Sequence, residues 1–218
     1  MTDPFPTPPY AWIRTAGIVA ALGAFIAAVG DYLLLYSPDG GYLVGDYQFL
    51  AEIPNSRLLW GHYLGILGIP FQVAGVYLFY LGLKPLGPRI SYPTLFLGVL
   101  VIFPGVVYHG GIYPLAEAVR TGPEWVELFR PFNEPLALGF VSVFFILIIC
   151  LNVLILRGGT RFPKWLVLLS PIVTYAFWML LYFVVPAVGN VLAPMGFNLS
   201  MGIFFVAILA SGCLKDEA

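Results

Sequence analysis

The sequence predicts an all-α integral membrane protein, a polytopic bundle of six transmembrane helices. The first observation is composition: of 218 residues, 60% are hydrophobic and only 10% are charged, and the mean hydropathy is +0.92. Soluble domains carry about 25% charged residues, so these charges are too few to cover a surface that faces water. The second observation is a series of long apolar stretches, and the third is an uneven distribution of basic residues between the loops.

Six apolar stretches reach the length of about 20 residues that a membrane-spanning helix needs. Proline near the start of a helix and glycine just past its end mark the boundaries. We expect one transmembrane domain over residues 1–218, with spans at about 12–36, 57–83, 94–113, 135–156, 164–185 and 190–214.

The basic residues predict the orientation of the bundle. Six spans put both termini on the same side as the second and fourth loops. That side would carry seven of the ten basic residues, and the positive-inside rule makes it cytoplasmic. The seven are Arg14, Lys84, Arg89, Arg157, Arg161, Lys164 and Lys215, against Arg57, Arg120 and Arg130 on the opposite side.

The first and third loops differ from ordinary solvated linkers. Residues 37–56 and about 114–132 combine acidic residues with apolar and aromatic ones, including Tyr47, Phe49 and Trp125. Apolar side chains in such segments favour short helices that lie on the membrane surface or fold over the bundle. We therefore predict lid helices in both outer loops.

The candidate site consists of four ionisable residues on four different spans: Asp31, His62, His109 and Glu134. A rise of about 1.5 Å per residue places all four toward the extracytoplasmic half of the bundle. An ionisable group in hydrocarbon costs at least ~2.5 kcal/mol at the helix centre. The helices should therefore turn these side chains toward one another in a shared pocket.

Each of these residues also has a structural alternative. Asp31 could pair with Arg57, and Glu134 could be a first-turn residue that the helix dipole favours. The two imidazoles could be hydrogen-bonded structural groups. Asn198 could be a carboxamide that joins two helices. These alternatives remain open at the level of the sequence.

Polar and aromatic residues on the same spans would complete the pocket. Gln72 lies deep in a stripe of small residues, Gly61, Gly65, Gly68 and Gly75, which is typical of closely packed helices. Gln72 could form the floor of the pocket. The predicted substrate-binding residues are Asn198, Gln72, Tyr108, Tyr113, Trp178 and Tyr182.

No metal or cofactor is predicted. His62, His109 and Asp31 are suitable ligand types for zinc or iron. However, the sequence has no HxxxH or HxxE pair that would place two ligands on one helix turn. The formal net charge of −1 and the lack of a basic stripe also exclude a nucleic-acid partner.

Three motifs carry a resemblance to a known group of proteins. They are GDYLLLY at 30–36, GHYLGILGIPFQVAGVYLFYLGLKP at 61–85 and GVVYHGG at 105–111. They resemble an uncharacterised family of small bacterial six-span membrane proteins, which implies the bacterial inner membrane. That family has no established activity, but Asp31, Gly61, Pro70 and His109 lie inside its motifs.

These patterns favour an integral-membrane enzyme that acts on a lipophilic small molecule by acid–base chemistry, as an isomerase, cyclase or dehydratase. Asp31 or Glu134 would donate the proton, and His62 and His109 would relay it. One alternative is a proton-coupled transporter or channel. The other is a non-catalytic protein that binds lipid or another ligand. Membrane lipids are the expected partners, and the oligomeric state stays open.

Overall fold

Seven α-helices make up most of the described part of the chain. The computed structural model describes residues 8–38, 41 and 47–215, and these contain no β-strand. The helices are α1 Tyr10–Leu35, α2 Asn55–Phe71, α3 Val73–Leu83, α4 Pro88–Thr121, α5 Pro123–Arg157, α6 Pro171–Val184 and α7 Pro186–Ser211. Short 3-10 helices lie at Gln48–Glu52, Lys84–Leu86 and Lys164–Leu169.

The helices form six membrane-spanning units, as predicted. One unit, Asn55–Leu86, consists of α2, α3 and the 3-10 helix that follows them. Another, Lys164–Val184, consists of α6 and the 3-10 helix that precedes it. Large apolar side chains stay exposed on the outside of the bundle, for example Leu22, Leu138 and Phe183. A surface of this kind suits lipid rather than water, so the chain is an integral membrane protein.

The structure differs from the prediction in the third loop. Residues 114–121 continue α4, and residues 123–134 form the first part of α5, so that Gly122 alone separates the two helices. Gly122 has φ +157°, and Pro123 occupies the first position of α5, where a missing N–H has no cost. The expected loop helix is therefore part of two long helices.

The described part of the first loop lies against the ends of α1 and α4. Leu50 in the 3-10 helix is fully buried and belongs to the same apolar cluster as Leu34 and Leu115. Arg120 at the end of α4 donates hydrogen bonds to the carbonyls of Ala51 and Ile53. Residues 39–40 and 42–46 of the predicted lid lie outside the described residues.

Glycine permits the close approach of α1 and α2. A Cβ atom at Gly68 would lie 2.6 Å from the carbonyl oxygen of Gly23, and one at Gly30 would lie 2.8 Å from the amide nitrogen of Gly65. Small residues let membrane helices bring their backbones together. The glycine stripe of the second span is thus a packing surface, as the spacing predicts.

Candidate functional site

Four buried polar side chains form one hydrogen-bonded chain, which we call the Asp31 network. His109 Nε2 lies 2.8 Å from Asp31 Oδ1. Asn198 Nδ2 donates to Asp31 Oδ2 at 2.7 Å, and Gln72 Nε2 donates to Asn198 Oδ1 at 2.7 Å. The residues come from α1, α4, α7 and the joint between α2 and α3, so the network joins four segments of the bundle.

Local sequence features position two members of the network. Pro70 lies near the end of α2, where it cannot donate a helical hydrogen bond. The helix ends at Phe71. Gln72 follows at the joint between α2 and α3, and its backbone N–H donates to the carbonyl of Ile69. Gly65 leaves room for His109, because a Cβ atom at this position would overlap the imidazole Nδ1.

The hydrogen bonds of the network converge on the carboxyl group of Asp31. A carboxylate has about four acceptor sites on its two oxygens, and His109 and Asn198 use two of them. Hydrogen bonds to a charged group are shorter and stronger than neutral ones. His109 Nδ1 is buried without a hydrogen-bond partner among the described residues and faces Gly65. Asp31 therefore has acceptor capacity left, and the unpartnered nitrogen of His109 lies against Gly65 of α2.

The Asp31 network faces an internal cavity of about 170 Å³. α1, α3, α4, α5, α6 and α7 all contribute to its lining. Beyond the network, the lining is apolar and rich in aromatic residues. It includes Phe79, Tyr108, Phe140, Phe144, Phe145, Tyr175 and Phe197.

An aromatic cluster forms the side of the cavity made by α5, α6 and α7. The ring centroids of Phe144 and Phe197 are 4.1 Å apart, and those of Phe140 and Phe197 are 5.2 Å apart. Tyr175 meets Phe197 edge-on at 6.2 Å. Aromatic faces of this kind attract positive charge, and their edges pack against apolar groups.

Comparison with known proteins identifies the family but no activity. Residues 12–215 match DUF6796, described as a family of unknown function. The chain belongs to DUF6796. No curated protein and no solved structure gives a significant match. The expected resemblance to an uncharacterised family is confirmed, and it extends over nearly the whole chain rather than its first half.

Some of the predicted site residues of this DUF6796 chain meet at the cavity. Asp31, His109, Asn198, Gln72 and Tyr108 all line it. The expectation that ionisable side chains turn toward one another concerned Asp31, His62, His109 and Glu134, and of these four the structure brings Asp31 and His109 together.

Glu134 does not join the cluster. Its carboxylate pairs with Arg130 Nη1 at 3.0 Å on the surface of α5, and its side chain is 47% exposed. The first-turn explanation does not apply either, because α5 begins eleven residues earlier, at Pro123. An i,i+4 pair on an exposed helix face satisfies the charge, so nothing draws it inward.

His62 and Tyr113 also lie apart from the Asp31 network. The His62 ring contacts the rings of Tyr63 and Tyr113. Its Nδ1 is buried without a hydrogen-bond partner among the described residues. Neither His62 nor Tyr113 lines the cavity. His62 follows Gly61 by about 100° around α2, and this rotation directs it away from the α1 interface.

Two predicted aromatic residues of α6 pack elsewhere. Trp178 Nε1 donates to Ser200 Oγ at 3.1 Å, and its side chain lies against Gly196. Tyr182 contacts the Phe183 ring edge-on. The α6 residue that does line the cavity is Tyr175, three residues before Trp178. Sequence reasoning missed it because the rotation of a helix with aromatic residues on several faces is not evident.

The alternative pairing of Asp31 with Arg57 is excluded. Arg57 Nε donates to the carbonyl of Leu33 at 2.7 Å, and Nη2 donates to the carbonyls of Tyr32 and Tyr36. Carbonyls in the last turn of a helix have no intrahelical partner, and Arg57 supplies one. Arg57 therefore closes the end of α1 beside Asp31 and leaves the carboxyl group to the network.

Proposed function

We propose that the chain is an integral-membrane enzyme that moves a proton between Asp31 and a lipophilic substrate held in the cavity. One observation carries the proposal: a buried carboxyl group, held by two hydrogen-bond donors, faces an apolar and aromatic cavity. Pockets of this kind, mostly apolar with a few convergent polar groups, are the usual sites of small-molecule binding.

The reaction would need no cofactor. The O–H bond of protonated Asp31 breaks as a C–H bond forms on a substrate alkene, which leaves a carbocation beside the aromatic cluster. Return of a proton from a neighbouring carbon to Asp31 completes an isomerisation. Ring closure before that return gives a cyclisation. Protonation of a hydroxyl group, loss of water and return of a proton from the neighbouring carbon to Asp31 give a dehydration.

The two donors to Asp31 have a defined part in this step. His109 and Asn198 stabilise the carboxylate that remains after proton donation, because their N–H groups already point at its oxygens. Gln72 holds Asn198 in that orientation. His109 and Gln72 are thus positioning residues, and Asp31 is the proposed catalytic acid and base.

The proposed arrangement in the membrane puts the Asp31 network on the extracytoplasmic side. The seven-to-three distribution of basic residues supports cytoplasmic termini. The 3-10 helix Gln48–Glu52 would then lie on the outer side, as a lid near the ends of α1 and α4. We place the protein in the bacterial inner membrane, with membrane lipids around it.

The opposite half of the bundle argues against a transport pathway. Its buried polar side chains, among the described residues, bond to each other or to the backbone. Asn152 donates to Ser170 Oγ, Thr174 donates to the Ser170 carbonyl, and Ser91 donates to the Gly87 carbonyl. None of these three residues lines the cavity, so they do not extend its polar lining toward that half.

Deuterium transfer tests the function while the substrate is still unidentified. Wild-type protein would be reconstituted with the apolar lipids of its source cells in D₂O, and the lipids would be analysed by mass spectrometry. Proton donation by Asp31, whose O–H exchanges with solvent, should place deuterium on carbon in one lipid class or remove water from it. Asp31→Asn should lose this activity by at least ~100-fold.

Glu134→Gln is the matched control, because it neutralises a carboxylate on α5 outside the cavity. It should retain wild-type deuterium transfer. Folded Asp31→Asn that still transfers deuterium at the wild-type rate would exclude the proposed function. A wild-type protein that binds a lipid in the cavity but never exchanges it would instead indicate a binding protein.

A further inference from the structure

The cavity is a long slot rather than a round chamber. On α4 its lining runs from Gly98 to His109, and on α5 from Ala137 to Ile148. Each stretch covers twelve residues, and the eleven steps of about 1.5 Å between its ends correspond to about 16 Å along a helix axis. The slot thus extends along the bundle axis for roughly half the thickness of a bilayer core.

The chemistry of the slot changes along its length. Asp31, His109 and Tyr108 lie at one end, and Asn198 and Gln72 extend the polar lining from Asp31. The other end is closed by apolar residues that are almost fully buried, among them Phe79, Val101 and Met201. A ligand that matches this gradient has its reactive end at Asp31 and an apolar chain that extends toward Val101.

The slot reaches the lipid-facing surface of α5. Val141 lines the cavity and is also 37% exposed. Its neighbours Leu138 and Ile146 on the same helix are exposed apolar residues, which places this opening against hydrocarbon. An apolar molecule can therefore enter from the bilayer without crossing water.

Building on the proposed function, we propose that the slot binds a linear isoprenoid chain end-on, with its terminal group at Asp31. Of the reactions proposed above, isomerisation and cyclisation begin with protonation of a carbon–carbon double bond, and isoprenoid chains carry one in every unit. Aromatic rings line the slot beyond the reacting end as well, and their faces suit the double bonds of the remaining units. A saturated acyl chain would gain nothing from these rings beyond contact.

Two positions on α4 lie at different distances from His109 and can set the length of chain that the slot accepts. We call these positions, Gly105 and Val101, the length ruler. Gly105 lies four residues, about 6 Å, from His109, and a Cβ atom there would be 3.2 Å from the Phe140 ring. Val101 lies about 12 Å from His109 on the same helix face. Larger side chains at these positions should shorten the slot by different amounts.

The experiment measures binding of geraniol, farnesol and geranylgeraniol, with saturated hexadecanol as the acyl-like probe. Wild-type protein in nanodiscs should bind geranylgeraniol most tightly. Val101→Trp should weaken the binding of geranylgeraniol at least about tenfold, because the isoprene units far from Asp31 lose their apolar contacts. The binding of geraniol should stay unchanged. Gly105→Leu should weaken both farnesol and geranylgeraniol by at least the same factor.

Matched controls lie outside the slot on the same or the adjacent helix. Val107→Trp introduces the same side chain on the lipid-facing side of α4, where Val107 is exposed. Gly139→Leu is the control for Gly105→Leu. It introduces leucine on α5, where no atom lies within 4 Å of the added Cβ. Both should keep the wild-type order of the three prenols. Met201→Phe, at another buried apolar residue of the lining on α7, replaces Val101→Trp if that variant does not fold.

The outcomes separate this inference from the proposed function. An unchanged order of prenols in the folded ruler variants, or equal affinity for hexadecanol and the prenols, would overturn the isoprenoid slot. Asp31→Asn should still bind geranylgeraniol but lose deuterium transfer. Retained transfer in that variant would overturn the proposed function and leave the length ruler intact.

Discussion

The α1–α2 interface and the α5 side of the bundle are packed in opposite ways. Glycines bring the backbones of α1 and α2 into direct contact, so that even one added methyl group at Gly68 would overlap Gly23. On the other side, the large rings of Phe140, Phe144 and Phe197 keep α5 and α7 apart around a cavity.

This difference shows how a chain with few polar residues can hold a reactive group. The close side fixes Asp31 and leaves a defined space for His109 beside Gly65. The open side gives an apolar ligand access to the same carboxyl group. The α1–α2 interface thus fixes the position of Asp31, whereas the α5 side admits the ligand. Substitutions can test these two roles separately.

The largest expected effect comes from a side chain placed in the close interface. Gly68→Val would force α1 and α2 apart, because its Cβ meets the Gly23 carbonyl and the Ala27 backbone. Overpacking of this kind costs about 3 kcal/mol. Denaturation in mixed micelles measures the free energy of unfolding. Gly139→Val, whose Cβ meets no atom within 4 Å, should change it by less than about 1 kcal/mol.

The second-largest expected effect on stability comes from the Asp31 network. Asp31→Ala leaves the N–H groups of His109 and Asn198 without an acceptor in a buried site, at a cost of about 2 kcal/mol. The double variant Asp31→Ala with His109→Leu should recover part of this loss, and a double-mutant cycle gives the coupling. If the changes in the free energy of unfolding of Asp31→Ala and His109→Leu add up to that of the double variant, the hydrogen bond does not contribute to stability.

The sequence predicted the spans and the inward turn of Asp31 and His109 for one reason. Hydrocarbon makes an isolated polar group expensive, and that cost acts on any residue deep in a span. The same reasoning failed for Glu134, because α5 extends beyond the predicted span and gives the carboxylate an exposed partner in Arg130. The cost of burial never applied to it.

The aromatic lining could not be predicted residue by residue. Phe140 and Phe144 are one helical turn apart and therefore share a face, but lipid-facing and cavity-facing aromatic residues look alike in an apolar span. Only the rotation of each helix, which depends on contacts with its neighbours, separates Tyr175 at the cavity from Trp178 against Ser200.

A third, local effect is expected at the end of α4. Arg120→Ala removes the hydrogen bonds to the backbone of Ala51 and Ile53. Amide exchange in residues 48–53 should become about tenfold faster, because this segment then opens more easily. Arg130→Ala removes an arginine that pairs with Glu127 and Glu134 of its own helix, and it should leave exchange in residues 48–53 unchanged. Equal exchange in both variants would show that Arg120 does not hold the loop.

The smallest effect separates the α6–α7 contact from the cavity. Trp178→Phe removes the hydrogen bond to Ser200 and should lower the free energy of unfolding by about 1 kcal/mol. Prenol binding should not change, since Trp178 does not line the cavity. Trp165→Phe, at a position that is 46% exposed, serves as the control. Weaker prenol binding in Trp178→Phe alone would place the ligand against Trp178, outside the cavity described above.

The central claim is that His109 donates a hydrogen bond to Asp31 inside the membrane, and nitrogen NMR tests it most directly. The chain has two histidines, so His62→Gln leaves His109 as the only imidazole signal in lipid bilayers. The structure predicts one protonated, hydrogen-bonded ring nitrogen whose resonance moves when Asp31→Asn is added. An imidazole spectrum that does not respond to Asp31→Asn would contradict the account.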